Sequence, residues 1–358
     1  MNKLILLLTG FSLCITQFCF GQSILTPVGS NIEANKIEAF IQSKMAETNT
    51  PGIAMAIVNK GEVVYHNEFG MQKPNMPVKS NTIFEGASLS KPLFGFFVMQ
   101  FVEQGLLDLD RPLYLYLPYA DIAHDDRYKK ITARMVLSHR SGFPNWRTDS
   151  GSEKLFINFE PGTQFEYSGE GYQYLALVLQ EITNTTPEGL ERLFHKKVAR
   201  PLGLKTTRFI QNKKNLKRKA LAYKNQKWLG ERDFGVDEFG AAYGVHSTAI
   251  DYANWLIAVM NKEGLQIDTY DEYLKNQTEL PEDNPNKAAG VSHVALGFYT
   301  GKFPFGTIYG HGGNNDKKFT SIAICIPEQE WAMTLFTNSG FGEQMGIELF
   351  QWLASGGN

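Results

Sequence analysis

Apolar positions recur at two different periods near the start of the chain. Ile37, Phe40, Ile41 and Met45 follow a helical spacing, and Pro51-Gly52 ends that pattern. The stretch "IAMAIVNKGEVVYHNEF" then contains two strand-like runs on either side of Asn59-Lys60-Gly61, whose turn chemistry predicts a hairpin. The chain therefore begins its folded part with a helix followed by a hairpin.

The middle of the chain has a mostly helical pattern interrupted by proline and glycine, from Lys91 to about Tyr252. Thr248, three residues before Asp251, predicts a helix start ahead of "YANWLIAVM". A polar stretch, "NQTELPEDNPNKAAG", predicts a surface loop.

Strand patterns return near the end of the chain. The runs "TIYGHG", "FTSIAICIP" and "WAMTLFTNS" are β-branched or aromatic, and the amphipathic "EQMGIELFQWLA" predicts a closing helix. Strands at both ends around a helical middle predict an α+β fold with one antiparallel sheet built from both termini. We place the sheet part at about 30–85 and 290–358 and the inserted helical part at about 86–289.

The first 21 residues have the composition of a secretory signal peptide. One basic residue, Lys3, precedes an apolar run that is too short to span a bilayer, and Gly21 offers a small residue for cleavage. Cys14 and Cys19 would allow a lipoprotein, but neither follows the small-residue run that such processing needs. We therefore expect export to the periplasm or the medium, with residues 22–358 as one mature domain.

Charge and cysteine content narrow the classes of partner. The net charge of −2 provides no basic field for nucleic acid, and no later stretch is long and apolar enough for a membrane span after signal cleavage. A small-molecule or peptidoglycan-derived substrate remains as the expected partner.

Cys325 is alone after cleavage and is expected to be buried and inert. The histidines lack zinc spacing, so neither a metal nor a cofactor is expected, and the oligomeric state stays open.

Three motifs could carry chemistry. Ser88 and Lys91 form an S-x-x-K motif in "EGASLSKPLFGFF", where one helical turn places the lysine amine within reach of the hydroxyl. Tyr167 precedes a glycine-rich turn that opens an apolar helix, and His311 leads two glycines into a strand, where a ligand can approach the backbone. Taken singly, each motif is equally compatible with a structural role: a helix start, a buried aromatic residue or a bulge.

In this order and spacing, the motifs resemble those of the serine β-lactamase and penicillin-binding-protein superfamily. Within it, the chain is most similar to the branch of class C β-lactamases, DD-peptidases and related esterases. The similarity covers nearly the whole chain after the signal segment, including "PGIAMAIV", "ITARMVLSHRSGFPNW", "ARPLGLKTTRF" and "YGVHSTAIDYANWL". It implies a β-lactamase/DD-peptidase-like fold, with an antiparallel sheet flanked by helices, an inserted mostly helical subdomain and a site in the cleft between them.

The resemblance also implies roles for individual residues. Ser88 would attack the substrate carbonyl, and Lys91 and Tyr167 would share general-base and general-acid work. The sequence does not decide which of the two takes the proton. The oxyanion and substrate-binding set implied by the resemblance comprises the backbone N–H groups of Ser88 and Asn314 together with His311, Gly312, Gly313 and Gly169.

Two departures from the family pattern affect the expected substrate. The chain has His311-Gly312-Gly313 where β-lactamases of this branch usually have Lys-Thr-Gly, and a neutral histidine offers less charge to a substrate carboxylate. Gly169 stands where an asparagine is more usual. We therefore expect a serine hydrolase that forms an acyl-enzyme with a small ester or a D-amino-acid amide or peptide.

Two other functions remain open from the sequence: a class C-like β-lactamase, and a weakly catalytic penicillin-binding or envelope-binding protein. An α/β-hydrolase is disfavoured because the chain has no G-x-S-x-G motif. Glu170 is expected to cap its helix, and His139 is expected to be structural and outside the site.

Overall fold

The computed structural model describes residues 24–151, 153–230 and 237–357. The predicted signal segment lies outside these residues. The strands are β1 (Ile24–Leu25), β2 (Asn31–Ile32), β3 (Gly52–Asn59), β4 (Glu62–Lys73), β5 (Met76–Pro77), β6 (Phe84–Ala87), β7 (Tyr223–Lys224), β8 (Lys227–Trp228), β9 (Val245–Ser247), β10 (Thr278–Glu279), β11 (His293–Val294), β12 (Tyr299–Phe303), β13 (Gly306–Asn315), β14 (Phe319–Ile326) and β15 (Trp331–Thr337).

The α-helices of the described residues are α1 (Ala34–Thr48), α2 (Ser90–Glu103), α3 (Ala133–Leu137), α4 (Glu170–Ile182), α5 (Pro187–Phe194), α6 (Lys213–Arg218), α7 (Ala249–Met260), α8 (Ile267–Leu274) and α9 (Gly342–Ala354). Short 3₁₀ turns occur at Leu113–Leu115, Ala120–Ile122, Asp126–Lys130, Arg147–Ser150, Pro285–Ala289 and Pro327–Gln329, and a π turn occurs at His195–Ala199.

The main sheet joins the two ends of the chain. Within the described residues it has nine strands in the order β10-β11-β12-β13-β14-β15-β3-β4-β5, and every neighbouring pair is antiparallel. β3 pairs with β15 from Ile53↔Thr337 to Asn59↔Trp331. The predicted α+β fold, with one sheet built from both termini and a mostly helical insertion, is confirmed.

The sheet is covered on both faces. Along β3, Ile53, Met55 and Ile57 belong to a core shared with α1 and α9, whereas Ala54 and Ala56 face α7 and the helical part. All eight residues of β3 are buried, as a central strand between two layers requires. The sheet therefore separates two cores, one shared with α1 and α9 and one shared with the helical part.

Helix α2 passes through the interior of the helical part. Ten successive residues from Ser90 to Met99 are buried, and the aromatic residues Phe94, Phe96 and Phe97 pack against other rings. A helix that is apolar on all sides is stable only when surrounded by protein. This burial fixes the helix, and with it the residues of its first turn.

Local turn and cap predictions agree with the structure. Lys60 and Gly61 both have positive φ, 51° and 73°, in the tight turn between β3 and β4. The Thr248 side chain accepts a hydrogen bond from the Asp251 N–H at 3.2 Å and caps α7. In the described part of the chain, no helix combines the length and apolar character needed to cross a membrane.

Candidate active site

Ser88 lies in a strained turn between β6 and α2. Ala87, the residue before it, has φ +50°, which is uncommon for a residue with a side chain. The Leu89 N–H donates to the Gly86 carbonyl at 3.0 Å and closes the turn, and Ser321 Oγ donates to the same carbonyl at 2.8 Å. The turn leaves Ser88 partly exposed at the junction of sheet and helices.

Neighbouring strands and helices hold the first turn of α2. Ser90 Oγ accepts a hydrogen bond from the Val245 N–H at 2.8 Å and donates to the Ala87 carbonyl at 2.6 Å. Tyr252 Oη donates to the Leu89 carbonyl at 2.8 Å. The position of the candidate nucleophile is therefore set by buried contacts from two other elements.

Lys91 is in contact with Ser88. Its Nζ donates to Ser88 Oγ at 3.1 Å and to the Ala242 carbonyl at 2.9 Å, and the side chain is 1% exposed. Burial lowers the pKa of Lys91 well below its usual value, and no carboxylate in the described part of the chain offsets this effect. A buried amine of this kind is suited to accept a proton from Ser88.

Tyr167 lies on the other side of the nucleophile. Its phenol hydrogen-bonds with Ser88, and its ring centroid lies 4.4 Å from Lys91 Nζ. Burial raises the pKa of Tyr167 well above its usual value. The phenol is therefore protonated at neutral pH and suited to donate a proton.

His139 supports the Tyr167 loop from behind. The two ring centroids lie 4.5 Å apart, and His139 Nδ1 accepts a hydrogen bond from the Ser168 N–H at 3.1 Å. This histidine was expected to be structural and outside the site, and the structure places it behind Tyr167 as a support of the loop. It holds the tyrosine and has no described contact with Ser88.

The β13 strand forms the opposite side of the site and has a free edge there. β12 pairs with β13 only as far as Tyr299↔Gly310, so within the described residues His311–Asn315 pair with β14 alone. Gly313 lies against β6, where a Cβ atom would overlap the Gly86 carbonyl. Only glycine permits this approach, which brings Asn314 and Ser88 to the same cavity. The oxyanion role of Asn314 stays a prediction.

His311 is buried and neutral. Its side chain is 5% exposed, and Nδ1 donates to the Gly312 carbonyl at 2.5 Å. Burial lowers the pKa of His311 to about 3, and the positive charge of Lys91 acts in the same direction. Nε2 has no protein hydrogen-bond partner among the described residues. The site therefore offers a substrate an acceptor nitrogen at this position rather than a positive charge.

Gly169 is enclosed by the loop before α4. A Cβ atom there would lie 2.6 Å from the Trp146 ring and 3.0 Å from the Asn145 carbonyl. Trp146 thus fills the space that a longer side chain at position 169 would need.

Glu170 does not cap α4 as predicted. It forms an ion pair with Arg147 at 2.8 Å and fixes the loop that carries Trp146.

Five of the candidate residues line one large cavity of about 970 Å³. Ser88, Tyr167, His311, Gly312 and Asn314 line it, whereas Lys91, Gly169 and Gly313 lie behind its surface. The other described lining residues are Asn145, Trp146, Tyr243, Asn286, Ala288, Ala289, Gly290, Val291, Tyr299, Phe303, Phe305, Ile308, Gly310, Asn315, Ile322, Ile324, Glu343, Ile347, Phe350, Gln351, Ala354 and Ser355.

Several of these lining residues were not predicted from the sequence. Trp146 ends the segment "ITARMVLSHRSGFPNW" that resembles the family, but neither it nor Glu343 was predicted as a site residue. The polar stretch 276–290, predicted as a surface loop, contributes Asn286, Ala288, Ala289 and Gly290 to one side of the cavity. Among the described residues, no group of three or more histidine, cysteine, aspartate or glutamate side chains could hold a metal ion.

A serine whose hydroxyl contacts a buried lysine at a helix start, with a tyrosine phenol opposite, is the arrangement of the serine β-lactamases and penicillin-binding proteins. The Beta-lactamase family model matches residues 37–357, and the chain belongs to this family. The predicted superfamily is confirmed.

Comparison with individual proteins agrees with this assignment. The chain is 23% identical over 332 residues to protein flp of Staphylococcus aureus strain MRSA252, covering 86% of this chain and 64% of that protein. It is 29% identical over 142 residues to penicillin-binding protein 4* of Bacillus subtilis strain 168, covering 34% of this chain and 30% of that one. The chain thus spans less than two thirds of these curated relatives.

A solved structure shows the same fold. The octameric penicillin-binding protein homologue from Pyrococcus abyssi superposes with a TM-score of 0.77 at 21% identity, covering 91% of this chain and 78% of that chain. The likeness supports the sheet and the helical insertion described above.

Proposed function

We propose that the protein is a serine hydrolase that acts through an acyl-enzyme on a small ester or a D-amino-acid amide or peptide, including peptidoglycan-derived ones. The observation that carries this proposal is the contact of the buried Lys91 amine with Ser88 Oγ at 3.1 Å. A lysine kept out of water and away from carboxylates has no evident structural purpose, whereas a proton acceptor next to a serine hydroxyl needs these features.

In acylation, Ser88 Oγ attacks the substrate carbonyl while Lys91 Nζ takes the hydroxyl proton. The direction of the two pKa shifts supports this assignment, because burial lowers the pKa of Lys91 and raises that of Tyr167. Tyr167 then passes a proton to the leaving oxygen or nitrogen as the bond to the carbonyl carbon breaks, and it is reprotonated from Lys91. The product is an ester between Ser88 and the acyl group.

In deacylation, water attacks this ester and gives its proton to the same pair of side chains, and the Ser88 oxygen leaves with a proton. The negative oxygen that forms in both steps would be stabilised by the backbone N–H groups of Ser88 and Asn314, which border the same cavity. The free edge of β13 at this point supports that role.

The surroundings of the site favour an ester or amide over a β-lactam. The neutral His311 gives no fixed positive charge for the carboxylate that β-lactams carry, and Gly169 has no side chain to contact a substrate amide. We therefore propose weak or absent β-lactam hydrolysis compared with ester hydrolysis.

Steady-state turnover of 4-nitrophenyl acetate tests this function. We expect Ser88→Ala to lose all detectable turnover, and Ser43→Ala, an exposed serine on α1, to retain it. Equal turnover in wild type and Ser88→Ala would refute the proposal. A burst of one acyl group per chain without further turnover would instead favour a weakly catalytic penicillin-binding protein, and preferred turnover of nitrocefin would favour a β-lactamase.

A further inference from the structure

Glu343 gives the active-site cavity its charge. It is the only acidic or basic residue among the described lining residues, apart from the neutral His311. In the described part of the chain, no basic side chain neutralises Glu343. Burial raises the pKa of the Glu343 carboxyl group, and a cationic ligand in the cavity would stabilise its charged form.

The position of Glu343 is set by α9 and β13. The residue lies in the first turn of α9, where the helix dipole favours a negative charge. Its carboxylate rests on Gly312, because a Cβ atom on that glycine would overlap Glu343 Oε1. The absent side chain at position 312 thus makes room for the carboxylate against β13.

The other polar groups that line this cavity make it suited to a cation. Burial raises the pKa values of Tyr167 and Tyr299, and the Glu343 carboxylate acts in the same direction; all three residues line the same cavity. His311 contributes an unpaired Nε2, which can accept but carries no charge. Lys91 does not line the cavity. A substrate carboxylate would be repelled here, whereas an ammonium group would find a carboxylate and several acceptors.

We propose that Glu343 is a specificity-determining residue that binds a cationic ammonium group of the substrate. This inference rests on the proposed hydrolase function and narrows its substrates to esters and amides that carry a positively charged nitrogen. The ammonium and the carboxylate form an ion pair within the cavity, and no covalent step is involved.

Two matched substrate pairs test the preference and locate the charge. D-Alanine 4-nitroanilide and its N-acetyl derivative differ in a charged amine on the acyl part. Acetylthiocholine and the thioacetate of 3,3-dimethylbutane-1-thiol have the same shape, and differ in a positive charge on the leaving group. We expect the wild-type protein to favour the charged member of at least one pair by tenfold or more in kcat/KM.

Variants assign that preference to Glu343. Glu343→Gln should lower kcat/KM for the charged substrate by tenfold or more, with less than threefold change for its neutral partner, and Glu343→Lys should reverse the preference. Glu348→Gln is the matched control, because it removes the same charge from α9 at a residue that pairs with Lys44 at 2.7 Å. This control should keep the wild-type ratio.

The outcomes separate this inference from the proposed function. Turnover that depends on Ser88 but does not distinguish charged from neutral substrates would overturn the role of Glu343 and leave the hydrolase standing. Equal losses for both members of a pair in Glu343→Gln would also overturn it. Turnover of none of the four substrates or of 4-nitrophenyl acetate would refute the hydrolase and this inference together. The wild-type ratio decides the preference even if a variant fails to fold.

Discussion

The side-chain amide of Asn315 donates a hydrogen bond to Glu85 Oε2 at 2.8 Å. This contact joins β6, which leads into the nucleophile, to the part of β13 that has a free edge on the other side of the site. Glu85 is fully buried, and Lys219 Nζ lies 2.9 Å from its other oxygen. The Asn315–Glu85 hydrogen bond thus joins the strand before Ser88 to the strand that carries Asn314, and the buried pair with Lys219 stabilises its acceptor.

Glu85→Gln should destabilise the protein by about 3–5 kcal/mol, because it removes the carboxylate charge next to the buried Lys219. The free energy of unfolding in urea measures this effect. Asp316→Asn, which removes a carboxylate from exposed pairs with Lys224 and Lys318, is the control and should change the value by less than about 1 kcal/mol. Equal losses in the two variants would contradict the importance assigned to the buried pair.

The pH dependence of ester hydrolysis should follow Lys91. The neutral amine is the base, so kcat/KM should fall as the pH is lowered through the pKa of Lys91, which burial places well below 10.5. Tyr167, whose pKa is raised, should stay protonated and cause no loss on the alkaline side of that midpoint. A pH profile of kcat/KM checks this expectation, and a rise centred at the usual lysine pKa would contradict it.

Stability should also depend on pH through His311. Its folded-state pKa of about 3 lies below the value of about 6.5 expected in the unfolded chain. Above pH 6.5 neither state binds a proton at this histidine. Between about pH 6.5 and 3 the unfolded state binds more protons than the folded state. The free energy of unfolding therefore decreases as the pH is lowered through this range, by up to about 1.4 kcal/mol per pH unit. Urea unfolding at pH 7 and 5 should show a smaller loss for His311→Gln than for wild type.

The free energy of unfolding of His311→Gln will still depend on pH, because burial also lowers the pKa of His139. The difference between the two proteins is therefore the quantity to compare. Identical losses between pH 7 and 5 would show that His311 is not held neutral in the folded protein.

Gly169→Asn should damage the site without restoring β-lactamase activity. The new side chain would collide with Trp146, whose ring lies 2.6 Å from the position of a Cβ atom. We expect at least a tenfold loss in kcat/KM for 4-nitrophenyl acetate and no gain with nitrocefin. In a Trp146→Ala background the same substitution should be less harmful, because the two residues compete for one space. Additive effects would argue against this competition.

The sequence was sufficient where the relevant contacts are local. The Asn59-Lys60-Gly61 turn predicts the hairpin because its geometry depends on the residues themselves, and Ser88 and Lys91 meet because one helical turn separates them. The placement of Tyr167 opposite Ser88 came from the family resemblance, since no local rule joins residues that far apart.

Other parts of the site depend on contacts that no short pattern encodes. Glu343 is an ordinary first-turn acid in an amphipathic helix, and only the packing of α9 on β13 brings it to Gly312. Glu170 was expected to cap its own helix, but Arg147 lies close enough to take its carboxylate. Such competition between a local and a distant partner is decided in three dimensions.

The pairing of β3 with β15 has a consequence for biosynthesis. β3 ends at Asn59, but its partner begins at Trp331, so the ribosome must make the whole helical part and the strands that follow it before the two can meet. Until then, the nascent chain carries a hydrophobic strand with one unpaired edge, a template for association with other chains. The central strand of the sheet therefore has to stay soluble through the synthesis of the whole helical part before its second neighbour exists.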